Sequence, residues 1–79
     1  MSQEKKNFVI VVEHYHRSVD AAFQERNVFY YDDFESVKKD YVGYINQFLD
    51  NQEQIGNIVV YRLDKKTDNY IIILNSIFY

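Results

Sequence analysis

The chain contains no cysteine, no proline and no tryptophan, and only two glycines, Gly43 and Gly56. Without cysteine there are no disulfides, thiolate zinc sites, iron–sulfur clusters or cysteine nucleophiles, a composition that suits a reducing compartment, so a cytoplasmic location is expected. Two glycines cannot build a Gly-x-Ser-x-Gly elbow or a phosphate-cradling loop, and no His-Glu-x-x-His occurs. The remaining candidates for catalysis are four Ser, one Thr and two His without a recognisable spacing, which points away from an enzyme and implies no cofactor. Long apolar runs are also missing. The one nearest the N-terminus, Phe8 to Val12, spans five residues, shorter than a signal peptide core or a membrane span, so no membrane association is expected. Charge of one sign never accumulates: the formal net charge is -3, and neither acids nor bases form a block. A nucleic-acid-binding chain carries a basic stripe, so that partner class is disfavoured.

What is abundant is aromatic surface, with eight Tyr and six Phe among 79 residues. Tyrosine joins a large apolar ring to a polar tip and is enriched at protein interfaces for that reason. Asn, Ile, Lys and Tyr together exceed a third of the chain, against two Ala, a bias typical of AT-rich coding sequences such as those of low-GC bacteria and their phages. The length allows one domain and one core, near the lower limit at which a chain folds without a staple or a partner subunit.

Residues 1–7 are polar and charged and read as a disordered tail, leaving 8–79 as the domain. Phe8 to His16 is β-branched and aromatic, the chemistry of a strand. Residues 17–26 fit either a short helix starting at Ser18 or a long hairpin loop, and Asn27 to Tyr31 is again strand-like. A helix is predicted over 33–50, with Asp32 and Asp33 as alternative N-caps, and Asp32 with Glu35 at capping-box spacing. Its apolar residues 34, 37, 41, 42, 44, 45, 48 and 49 occupy an arc of about 160°. Glu35 and Lys39 form a favourable i,i+4 pair, while Gly43 lies on the polar side. Asn57 to Leu63 and Tyr70 to Tyr79 then read as a hairpin joined by a turn over 64–69. The expected fold is α+β: a mainly antiparallel four-stranded sheet in the order β-β-α-β-β, with one amphipathic helix on one face.

One helix covers one face of such a sheet, so the strands should alternate apolar and polar residues. Instead both faces are apolar: Phe8, Ile10 and Val12 oppose Val9, Val11 and Tyr15, and the last strand carries Tyr70, Ile72, Leu74 and Phe78 on one side and Ile71, Ile73, Ile77 and Tyr79 on the other. Either residues 17–26 fold over the second face with Val19, Ala22 and Phe23, or that face is an interface with a second copy or another protein. The candidate partner-binding residues are therefore Tyr15, Tyr61, Tyr70 and Tyr79 on the sheet, and Asp32, Asp33, Glu35 and Asp40 on an acidic helix side that could also imitate DNA. His14-x-His16 places two imidazoles on one strand face, too few for a metal site without further ligands. The expectation is a non-enzymatic protein-binding module. In outline it looks like the small inhibitors that phages and mobile elements encode against larger host or defence proteins, with a homodimeric accessory protein as the alternative.

Overall fold

The computed structural model describes residues 5–16, 24–51 and 54–78. The elements are β1 Phe8–His16, β2 Gln24–Tyr31, α1 Phe34–Asp50, β3 Gln54–Asp64 and β4 Asn69–Phe78. All strand pairs are antiparallel, in the spatial order β2-β1-β3-β4, and α1 packs on one face. The expected α+β architecture is the one formed.

The central positions of β1 and β3 follow from their composition. A strand with a neighbour on each side loses solvent along both edges, and Val9, Ile10, Val11 and Val12 of β1, with Ile58, Val59 and Val60 of β3, are all buried. Ile10, Val12, Ile58 and Val60 face α1 and form the core with Val37 and Phe48 of the helix. Val9, Val11 and Val59 fall on the other face by alternation.

The helix begins where local chemistry places it. Asp33 is the N-cap, its carboxylate accepting the Ser36 N–H at 2.8 Å. Asp32 serves elsewhere, accepting from Lys6 Nζ at 3.0 Å, so the predicted Asp32–Glu35 capping box does not form. Glu35 pairs with Lys38 at 2.9 Å, one residue short of the predicted i,i+4 partner. The predicted apolar arc is wider than the sheet can cover. Val37 and Phe48 are buried and Tyr41, Tyr44 and Ile45 half-buried, whereas Phe34, Val42 and Leu49 remain exposed.

Strand boundaries shift outward from the predicted ones, because ladder pairing recruits polar residues whose own propensity for strand is low. Gln24, Glu25 and Arg26, left open between helix and loop, are the first residues of β2, paired with Tyr15, His14 and Glu13. A helix reaching residue 26 is thereby excluded, while 17–23 lie outside the described residues. Lys5 to Asn7, assigned by composition to the tail, are tied to the domain: Asn7 accepts the Leu63 N–H at 2.8 Å and donates to the Asp32 carbonyl, and the Lys6 carbonyl accepts from the Tyr70 hydroxyl. Residues 65–68 form the β3–β4 turn, closed by the Asp68 N–H on the Asp64 carbonyl with Asp68 in the left-handed region (φ 59°), a conformation that Asp tolerates.

One irregularity redistributes a strand. The β3–β4 register slips between Val60 and Tyr61: Leu74 lies opposite Val60 and Ile72 opposite Tyr61, leaving Ile73 as an extra residue that packs against the core. Strict alternation had put Tyr70, Ile72, Leu74 and Phe78 on one face. Because of the bulge, Leu74 and Phe78 lie on the helix side, while Ile72 and Tyr70 share the opposite face with Val9 and Val11.

Helix and sheet are locked together at Phe48. Its ring stacks on His14 of β1 and on Phe78 of β4, each at 4.8 Å between centroids, and lies above Gly56, which pairs with both in the sheet. A Cβ built on Gly56 would lie 1.9 Å from the Glu13 carbonyl oxygen and 3.1 Å from the Phe48 ring. Gly43 has nothing within 4 Å of such an atom. The two glycines should respond oppositely in chemical denaturation. Gly56→Ala is expected to cost about 3 kcal/mol through backbone overpacking, and Gly43→Ala to gain up to about 1 kcal/mol from helix propensity.

Candidate functional site

The face away from α1 has a floor and a rim. Its floor is Val9, Val11 and Val59, small residues on adjacent central strands. Around them stand Tyr30, Val28 and Arg26 from β2, Tyr61 from β3 and Tyr70 from β4, enclosing a shallow depression of about 360 Å³ lined by Val9 and Val11 as well. The register assembles it: Val9 pairs with both Tyr30 and Tyr61, Val11 with both Val28 and Val59, and Tyr61 with Ile72. Exposure is greatest at the rim, with Tyr30 at 61% and Ile72 at 60%. Further along the sheet, Tyr15, Ile55, Asn57 and Ile77 line a second, smaller hollow.

Three of the four predicted sheet tyrosines therefore belong to this face, though not to one patch. Tyr61 and Tyr70 share the main depression and Tyr15 the smaller hollow. Tyr79 lies outside the described residues. Tyr70 is held at its tip and over its ring, its hydroxyl donating to the Lys6 carbonyl at 2.7 Å while the Lys5 ammonium lies over the ring face, 6.0 Å from its centre. Tyr30, Val28 and Arg26 were not singled out from the sequence. Their alternation along β2 is the available signal, but which of its two sides joined Val9 and Val11 depends on the β1–β2 register.

The predicted acidic helix side is dispersed. Asp33 caps α1, Asp32 pairs with Lys6, and Glu35 pairs with Lys38. Asp40 points toward the sheet, accepting a 2.7 Å hydrogen bond from the Tyr31 hydroxyl on β2. Burial first, then the hydrogen bonds with Asp40 and Tyr44, raise the Tyr31 pKa far above its usual value, so the phenol stays protonated and donating. Phe29 stacks on Tyr44 beside it, at 5.3 Å between centroids, fastening β2 to the helix. His14 is in the Phe48 stack, and no group of three or more His, Cys, Asp or Glu among the described residues could hold a metal ion.

Electrostatically the described lining of the depression is almost neutral. Among the described residues Arg26 is the one cation that lines it, and Arg26 pairs in register with Glu13 on the same face. Such a surface offers rings and methyl groups edged by hydroxyls, which suits another protein better than a polyphosphate. No helix of the described residues is long and apolar enough to cross a membrane. Comparison with known protein families, curated proteins and solved structures finds no match for this chain.

The cap makes a prediction about acid stability. The Ser36 N–H lowers the Asp33 pKa below its ordinary value, so the folded state favours the carboxylate. That contribution is complete above the unfolded-state pKa of about 3.9 and is lost as pH falls through the lowered folded value. Thermal unfolding followed by circular dichroism should show Asp33→Asn losing less stability than wild type on acidification through this range, and Asp33→Ala less stable than either at neutral pH.

Proposed function

We propose that this chain is a small, non-enzymatic protein-binding module that engages a larger protein through the tyrosine-rimmed sheet face. The observation that carries the proposal is the pairing of a buried valine floor with a rim of Tyr30, Tyr61, Tyr70 and Ile72, two of them about 60% exposed. Interfaces concentrate their energy in aromatic anchors surrounding a small desolvated centre, and this arrangement supplies such anchors on a rigid sheet. The open shape of the depression suits side chains from a partner more than an enclosed small molecule.

In its finer form the proposal is an inhibitor that blocks a host or defence protein, encoded by a phage or mobile element. Short length, compositional bias and the absence of catalytic motifs support that form. The acidic helix residues are a weaker candidate surface, because Asp32, Asp33, Glu35 and Asp40 each already have a partner within the chain.

The test is capture of a partner from the native host, followed by reconstitution of the purified pair and titration calorimetry. Tyr30→Ala and Tyr61→Ala are each expected to weaken the binary complex by about 2 kcal/mol, roughly thirtyfold, with circular dichroism unchanged. Glu35→Lys should leave affinity within a factor of two or so, because it sits on the exposed side of the helix. Equal affinity for the tyrosine variants together with loss at Glu35→Lys would move the surface to the helix. A search that yields no partner forming a stable binary complex would overturn the proposal.

A further inference from the structure

The two outer strands of the sheet differ in a way the partner-binding proposal does not use. β2 carries Glu25 and Arg26 on its edge and is pinned to the helix by the Phe29–Tyr44 stack and the Tyr31–Asp40 hydrogen bond. β4 is ten residues long, has no charged residue and no proline, and is Ile-rich. Natural proteins blunt exposed strand edges with charge, proline or short length, since an outer strand presents unpaired N–H and C=O groups to any other strand. Here the single such device is the bulge at Ile73. Beyond it, Leu74 to Phe78 pairs regularly with Gly56 to Val60.

The surroundings of that edge are apolar on both sides. Leu74 and, on the open face, Ile77 are exposed, Ile77 at 56%. The helix packs mainly over β2, β1 and β3 and reaches β4 through Tyr41, whose hydroxyl is hydrogen-bonded to Ser76, and through Phe48. Helical geometry sets Leu49 and Val42 beyond Tyr41 on the flank turned away from β2, where both are more than half exposed. Both flanks of the β4 edge therefore carry uncovered apolar side chains.

We propose that this edge is where two copies of the chain associate, pairing antiparallel through Leu74–Phe78 about a two-fold axis at Ser76 and forming one continuous eight-stranded sheet. Three observations select a second copy. The unpaired groups are those of a strand, so the occupant is a strand. A two-fold contact places like segments together, which a chain of net charge -3 can do without repulsion only through a neutral stretch, and Asn69–Phe78 is entirely uncharged. The exposed Leu49 and Val42 of one copy then lie over the partner's uncovered β4, burying apolar surface that this small core lacks. In the dimer the two tyrosine-rimmed faces lie on the same side of the joined sheet, so the proposal is independent of what those faces bind.

Sedimentation equilibrium of the purified chain across micromolar concentrations tests it. A concentration-dependent dimer is expected, with amide exchange in Leu74–Phe78 slowing as the dimer fills. Ile77→Lys and Ile77→Glu should each raise the dimer dissociation constant about tenfold or more, and an equimolar mixture of the two should restore a 1:1 dimer. Should either fail to fold by circular dichroism, the same pair of charges at the exposed polar Asn75 repeats the test. A monomer throughout overturns the proposal, as does a dimer that survives both charge pairs. A dimer abolished by Tyr30→Lys but not by Ile77→Lys would place self-association on the open face instead. Tyr30 and Tyr61 lie on the far part of the sheet, so loss of partner capture and loss of dimerisation are separable failures.

Discussion

The packing of Phe48 above Gly56 is the contact on which the rest of the structure depends. One aromatic ring on α1 meets β1 through His14, β3 through the missing side chain of Gly56, and β4 through Phe78, so a single residue fixes how the helix sits on three strands. Each such stacked pair adds about 0.5–1.5 kcal/mol beyond area burial. Single cores of this size rarely supply more than about 3–5 kcal/mol of net stability, so that is a large share. Only one other helix residue, Val37, is as deeply buried, which makes α1 a two-point attachment with Tyr41, Tyr44 and Ile45 filling the margins.

This economy has a cost at the edges. A helix attached over β1 and β3 and drawn toward β2 by Tyr44 and Asp40 covers β4 only in part, through Tyr41 and Phe48. The helix therefore keeps an apolar flank in Val42 and Leu49, and β4 keeps Ile71 and Leu74 exposed on the same side. On the opposite face no described element covers the sheet, and larger rim residues surround the central valines. Two distinct apolar surfaces result, one edge and one face, from a single constraint on where the helix can dock.

Much of this was legible in the sequence because it rests on local chemistry. The β-branched run Phe8 to Val12 predicted a strand, the apolar spacing from Phe34 to Leu49 predicted the helix, and apolar residues on both faces of the first and last strands predicted a surface to be explained. Pairwise geometry was not legible. Which aspartate caps the helix depends on where the first turn closes, and Asp40 reads as a surface acid until β2 brings Tyr31 beside it. The place of Tyr30 was not legible either, because its face is defined by Val9 on a different strand. The bulge was invisible for a similar reason: Val60 and Tyr61 are consecutive while their partners Leu74 and Ile72 are not.

That bulge makes the composition of the tyrosine rim a matter of parity. Tyr70 and Ile72 reach the open face only because one unpaired residue separates them from Leu74 and Phe78 on the helix side. Register along the hairpin consequently matters more than its length. An insertion among residues 65–68 is absorbed by a turn, and deletion of Ile73 would remove the extra residue while leaving Ile72 opposite Tyr61, whereas drawing Ile73 into the ladder opposite Tyr61 would exchange the faces of the strand's first half. Two rim residues would turn inward against the core, and Ile71 would turn outward in their place. Descendants of this chain can vary the rim by substitution or shed Ile73, but β4 cannot pair Ile73 in the ladder without changing what the surface is made of.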